Sequence, residues 1–108
     1  MTPAAARASY RRQLEQHGWP ILIRRGGASA SALGKVTGYS PDELVGGVNQ
    51  GDQKVVLLAE DLEREGFPLP PQAADEVEDR GRTLYVMYEP TARRIGTTDI
   101  AYDLLVRG

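Results

Sequence analysis

The closing stretch of the chain constrains it most: Ile100, Tyr102, Leu104 and Val106 alternate with Asp99, Asp103 and Arg107. That is the period-two pattern of a strand with one face in a core and the other in water. Such a strand needs neighbours, and the rest of the 108 residues must supply them. With 41% hydrophobic and 26% charged residues, the composition is that of one ordinary globular domain built on a single core. The chain contains no cysteine, which removes disulfides, thiol catalysis and Cys-based zinc sites and suits a reducing compartment. No segment approaches the roughly 20 apolar residues of a membrane helix, and the start lacks the pattern of a secretion signal. The chain is therefore expected to be made and used in solution, with no membrane partner.

The first 18 residues read as a helix. Thr2 is placed to cap it, Pro3 suits its first position, and Gly18 suits a left-handed exit. Ala6, Tyr10 and Leu14 recur every fourth residue and give a narrow apolar stripe, with Arg7 and Arg11 as a basic edge. A stripe this thin suits a helix lying across a sheet or a neighbouring subunit. From Trp19 the period becomes that of strands: Ile21 and Ile23 share one face, Leu22 and Arg24 the other, and Gly26-Gly27 predicts a hairpin into a second strand through Leu33, Val36 and Thr37. Residues 39–52, YSPDELVGGVNQGD, carry a proline and three glycines with no sustained period, and predict a long loop of functional character.

Lys54 to Leu58 reads as a buried strand, and AEDLEREG as one or two helical turns closed by Gly66. Phe67-Pro-Leu-Pro-Pro71 excludes regular structure and predicts an extended approach to the next strand. Glu76–Asp79 and Arg82–Tyr88 form a second hairpin about Arg80-Gly81, and Arg93 and Arg94 fall in the turn before the last strand. The expected fold is mainly β: a small antiparallel β-barrel of five or six strands, with an N-terminal helix over residues 1–18, a barrel over 19–108, a long central loop and a short helical turn.

Chemistry is sparse. His17, the only histidine, sits at the helix end without a second metal ligand and suits a charge partner for the helix C-terminus. Asp42 with Glu43, and Asp75 with Glu76, are adjacent carboxylates that a strand would point to opposite faces, poorly placed for acid–base work. Ser29, Ser31 and Ser40 lack a nucleophile elbow or base, and the glycines of the long loop lack a phosphate-binding motif. No enzyme activity and no cofactor are expected. Charge is segregated instead. Arg7, Arg11, Arg12, Arg24, Arg25 and Lys35 against Glu15 leave residues 1–37 at +5. Glu60, Asp61, Glu63, Glu65, Asp75, Glu76, Glu78 and Asp79 against Arg64 leave residues 60–79 at −7. Such a split suits head-to-tail packing of copies, with Glu60, Asp61, Glu63 and Glu65 as an acidic subunit face. Equally, Arg24, Arg25, Arg93 and Arg94 would suit a small barrel that tracks nucleic-acid phosphates.

Three stretches together, GYSPDELVGGVNQGDQKVVLLAEDL, GFPLPPQAADEVEDRGRTLYVMYEP and the closing IAYDLLVRG, resemble the head–tail connector proteins of tailed bacteriophages, of the head-closure or stopper class. The resemblance covers residues 19–108 and leaves out the N-terminal helix. Relatives are expected to carry a glycine before the aspartate of the fourth strand, where this chain has Ala74-Asp75. The resemblance implies a β-barrel that forms a homo-oligomeric ring, of six or twelve copies, between the portal or adaptor protein and the tail or tail-terminator protein. Synthesised in the bacterial host cytoplasm, it would reside in the virion neck, close the DNA-filled head and dock the tail, with genomic DNA passing non-specifically through the channel. A tail-completion or terminator protein of similar fold would differ only in position. On this reading Tyr39, Pro41, Asp42, Glu43, Leu44, Val45, Gly46, Gly47, Val48, Asn49, Gln50, Gly51 and Asp52 form the channel or intersubunit loop. Arg7, Arg11, Arg12, Arg24 and Arg25 are candidates for contact with the adaptor, the portal or a neighbouring subunit.

Overall fold

The computed structural model describes residues 2–38 and 51–108. Two helices, α1 (Pro3–His17) and α2 (Ala59–Arg64), accompany seven strands: β1 (Trp19–Arg25), β2 (Ala28–Gly38), β3 (Gln53–Leu58), β4 (Glu76–Asp79), β5 (Arg82–Val86), β6 (Thr91–Ile95) and β7 (Thr98–Arg107). The strands run β3-β2-β1-β4-β5-β7, every neighbour antiparallel, and β7 pairs back onto β3 to close a six-stranded barrel. Closure removes the free edges that an open sheet of this length would present. β6 stands outside the ring, paired with β7 alone.

The seam between β5 and β7 is narrow, with Tyr85 opposite Arg107 and Val86 opposite Val106, extended by the Met87 N–H donating to the Leu105 carbonyl. Ten-residue β7 bridges the structure: its middle holds β3 on one side, while β6 and β5 share the other.

Alternation places Ile21, Ile23, Val55, Leu57, Val77, Leu84, Val86, Tyr102, Leu104 and Val106 inside, each large side chain contributing about 1.5–3 kcal/mol by burial. On β2 the inward positions are small, Ala30, Ala32 and Gly34, followed by Val36. Leu33 and Thr37, expected in this strand, lie in it on the outward face. Small residues are required there because a Cβ on Gly34 would run into the Val56 carbonyl and the Leu57 side chain. Ala59, Leu62 and Phe67 join the same cluster, so α2, which follows β3 directly, closes one mouth of the barrel.

α1 starts as its sequence predicts, with the Thr2 hydroxyl accepting from the Ala5 N–H. Ala6 and Leu14 are buried and Tyr10 is half-buried, and the helix packs across β2, β3 and β7. It therefore covers the outer face of its own barrel, where Leu58 and Ala101, a cross-strand pair, are also buried. Its exit corrects the expectation: Gly18 is extended, with φ −111° and ψ −175°, and not left-handed. Glycine is needed for space, since a Cβ here would collide with the Gly34 carbonyl.

Two further expectations change. Arg93 and Arg94 lie within β6 and not in a turn; the reversal is made by Gly96 at φ +62° and Thr97, which folds Thr91–Ile95 back onto β7 through a bulge at Arg93/Arg94. The strand after Arg80-Gly81 ends at Val86, two residues earlier than Tyr88. The Phe67–Pro71 segment is irregular, as its prolines dictate, but is not extended throughout: it bends at Leu69 and Pro70, where the peptide is cis.

Candidate functional site

The long connection between β2 and β3 is the feature that the sequence singles out. Tyr39, Pro41, Asp42, Glu43, Leu44, Val45, Gly46, Gly47, Val48, Asn49 and Gln50 lie outside the described residues; Gly51 and Asp52 lie within them. Gly38 pairs with Gln53, so the connection leaves and rejoins the barrel at adjacent points on one end. Its root is fastened there. Gly51 takes a left-handed φ of +96°, which favours glycine, and turns the chain so that Asp52 is buried at 3% exposure. Both Asp52 oxygens accept from Arg107, Nε at 2.7 Å and Nη2 at 2.9 Å, a bidentate geometry that fixes orientation as well as charge. The Arg107 guanidinium is held further into its charged form by the Asp52 bond first, with the Tyr88 hydroxyl also in contact.

A second buried acid sits at the same end, because antiparallel order brings the end of β4 and the start of β1 beside the start of β5. Asp79 is fully buried and accepts from Trp19 Nε1 at 2.7 Å, Arg80 Nε at 3.3 Å and Arg82 Nη2 at 3.1 Å. Burial alone would raise its pKa, but the bonds from Trp19, Arg82 and Arg80 outweigh it, and the carboxyl titrates below its ordinary range. Arg80 also stacks over the Trp19 ring at 4.1 Å, and Arg82 reaches Gln53 Oε1 at the loop root.

At the opposite end the charge segregation finds its use. β3 gives way to α2 after Leu58, so β2 loses its neighbour beyond Gly34. Two N–H groups on that bare edge are taken up by carboxylates of α2 and its C-terminal cap: Leu33 donates to Asp61 Oδ2 at 2.8 Å and Ser31 to Glu65 Oε1 at 3.1 Å. Asp61, 2% exposed, is neutralised by Arg11 at 2.6 Å and by Arg64 at 3.1 Å. Its desolvation is outweighed by the Arg11 and Leu33 bonds, and its pKa is lowered. Glu60 also meets Arg11, and Arg7 meets Glu63 at 2.6 Å and the Asp99 carbonyl at 2.9 Å.

The acidic face and the basic helix, expected to meet across a subunit boundary, thus meet within one chain. The physical reason is the unpaired β2 edge, which requires acceptors, and the acceptors then require cations. Arg25 likewise holds buried Asp75 in a bidentate pair at 2.7 and 2.8 Å, and Asp75 also accepts from the Gln72 N–H. Arg24 faces Glu76 and Glu78 on the other side of the strand, so Asp75 and Glu76 do point apart. Of the five arginines offered as external contacts, Arg12 alone is exposed without an ion-pair partner among the described residues.

Arg93 and Arg94 are paired as well, with Asp103 and Asp99, and Arg93 donates to the Tyr10 hydroxyl at 2.7 Å. The Tyr102 hydroxyl donates to Asp99 Oδ2 at 2.6 Å. That bond is the main cause of a lowered Asp99 pKa, while burial and then Asp99 raise the Tyr102 hydroxyl well above its ordinary value, so the proton stays on the tyrosine. A groove of about 490 Å³ opens beside α1 between Pro3, Ala8 and Thr98, but the arginines that line it, Arg7 and Arg11, are already matched by acids. Among the described residues no group of three or more His, Cys, Asp or Glu is placed to hold a metal ion, and no helix is long and apolar enough to cross a membrane.

Sequence reading missed Trp19, Asp79, Arg82 and Arg107 as a set. One signal was present: in Glu76-Val-Glu-Asp79 the alternation puts Asp79 on the face of Val77, and an acid at an inward position demands donors. Comparisons with protein-family models, with curated proteins and with solved structures find no match to this chain.

Proposed function

We propose that this chain is a structural protein of the neck of a tailed bacteriophage, non-catalytic, assembling as a ring between the portal or adaptor and the tail. There it closes the DNA-filled head and offers the tail a docking surface. The observation that carries the proposal is the closed barrel whose β2–β3 connection of residues 39–52 springs from one end and is anchored at its root by the buried Asp52–Arg107 pair. A rigid ring component needs that combination of a fixed scaffold and a segment aimed from it. The residues that resemble the head-closure class include the same segment, GYSPDELVGGVNQGD.

The role is mechanical: the position of that segment around a ring sets the width of the channel, and tail contacts shift the balance only by binding the two states differently. The phosphate-tracking alternative is disfavoured by the pairing of Arg24, Arg25, Arg93 and Arg94 with acids of their own chain. Deleting Val45–Asn49 provides the test. The barrel should fold as before, by circular dichroism and cooperative melting, while particles assembled with it leak DNA or lack tails. Intact, DNA-filled, tailed particles from the deletion refute the proposal.

A further inference from the structure

Among the described residues, β6 is the least anchored of the strands. None of its five residues is buried, whereas each of the other six strands buries at least two. It is also the one strand with a single strand neighbour, β7, and its register there is broken by the bulge at Arg93/Arg94. Of the five, Ala92 packs half-buried against the core cluster. Local opening begins where buried apolar contacts are so few. What holds β6 is charge. Arg93 donates from Nε and Nη2 to Asp103 Oδ2 at 3.0 and 2.9 Å and from Nη1 to the Tyr10 hydroxyl at 2.7 Å. Its guanidinium also lies 5.6 Å from the centre of the Tyr10 ring. Arg94 Nε donates to Asp99 Oδ1 at 2.6 Å.

The acceptors belong to the fixed body and not to β6. Tyr10 stands on α1, and Asp103 and Asp99 stand on β7. Asp99 is held in place from elsewhere, since its Oδ2 accepts from the Tyr102 hydroxyl and its carbonyl from Arg7. The two arginines are 42% and 58% exposed, so water and salt reach both pairs. Open grooves of about 320 and 350 Å³ flank the strand, one beside Thr91 and Asp103, the other beside Thr97 and Asp99. Lifting β6 leaves the barrel closed, because β7 keeps β3 along Ala101–Val106 and keeps β5 at Val106 and Arg107. We propose that β6 is an ion-latched strap: residues 91–95 open from β7 as a unit, ahead of the barrel and against the Arg93 and Arg94 pairs, and bare the β7 edge from Thr98 to Asp103. It swings on Gly96, at φ +62°, and on the irregular stretch 87–90. The strap is a property of the single chain and does not depend on the neck reading.

Amide hydrogen exchange followed by NMR on the whole chain tests it, with the amides that join β6 to β7 compared with those that join β1, β2 and β3. At low salt the β6 set should be protected, yet exchange at least about tenfold faster than the other set and respond little to dilute urea, as local opening does. Raising the salt to about 0.5 M should speed the β6 set by a further two- to fivefold or so, the range that exposed ion pairs supply. Arg93→Gln and Arg94→Gln should each do the same at low salt and leave the β1–β3 set unmoved. The salt series uses the unsubstituted chain, so it decides the matter even where a variant folds poorly. If the β6 amides exchange at the rate of the β1–β3 set and with the same dependence on urea, strand and barrel open together and the proposal is overturned. It is overturned as well by β6 exchange that salt leaves unchanged, by β6 exchange that both substitutions leave unchanged, or by a β6 set with no protection at low salt, each of which means that no ionic latch holds the strand.

Discussion

The barrel holds its buried acids in two ways, and the loop end uses both: Asp52 rests on one arginine, Arg107, as a bidentate pair, while Asp79 is held quite differently from the acids of the α2 end. At the α2 end, Asp61 and Asp75 each accept from a backbone N–H, of Leu33 and Gln72, and each depends on one principal arginine, Arg11 and Arg25. At the loop end, Asp79 accepts from three side chains, Trp19, Arg80 and Arg82. The α2 end is completing a sheet whose neighbour strand has left; the loop end is gathering chain segments about a fixed point. In both, the tie spans long stretches of sequence, 50 residues for Arg25–Asp75 and 60 for Trp19–Asp79. In a chain without cysteine these ties orient the strands in the place where a small domain often uses disulfides.

Acid should produce the largest change, because it reaches both ends together. Asp61, Asp79 and Asp99 all titrate below the ordinary carboxyl value of 3.8 in the folded chain. The unfolded chain therefore binds more protons through this range. The stability these groups contribute is complete above the unfolded pKa and is lost as pH falls through the lowered folded values. Urea midpoints should hold steady near neutrality and drop as pH is taken below about 4; midpoints that stay flat or rise there would show that the carboxylates are not held charged.

Next comes a pair of arginine deletions, one at each end. Among the described residues, Arg25→Ala leaves buried Asp75 with the Gln72 N–H alone and should cost about 3 kcal/mol, lowering Tm by roughly 4 °C or more per kcal/mol. Arg82→Ala leaves Asp79 with Trp19 and Arg80, and removes a side chain that is 54% exposed and screened by solvent; its cost should be below about 1 kcal/mol. Equal losses in thermal melts would erase the distinction between an acid resting on one arginine and an acid shared among three side chains. The smallest effect lies at the approach to β4. Ala74 occupies φ +74°, a left-handed conformation that costs an L-residue roughly 1–2 kcal/mol, at the position where the resembling family is expected to carry glycine. Ala74→Gly should relieve that strain, less the added freedom of the unfolded chain, for a net gain of about 0.5–1 kcal/mol. A loss of stability on calorimetry would mean that Ala74 is unstrained.

Much of the fold is legible in residue order, for local reasons. Period-two alternation marks β7 and β1, Gly26-Gly27 the first hairpin, Thr2-Pro3 the start of α1, and Gly66, at φ +72°, the end of α2. What escapes is set by tertiary context. β6, TARRI, has no apolar alternation and exists because β7 offers it an edge. The inward face of β2 is written in Ala30, Ala32 and Gly34, which make room for Leu57 and Ile21 and carry no hydrophobic signal of their own. The charges were visible, but their partners lie about 50 residues away, so a segregated sequence looks like a surface for others when it is closing on itself. The segment 39–50, the most suggestive in the sequence, lies where its reading rests on residue composition and on its anchored root at Asp52.

Cryo-electron microscopy of the parent particle tests the central claim most directly. A ring of these barrels in the neck between portal and tail, with residues 39–52 facing the axis, is the predicted result. A neck resolved well enough to trace its chains, and built without this one, would contradict it.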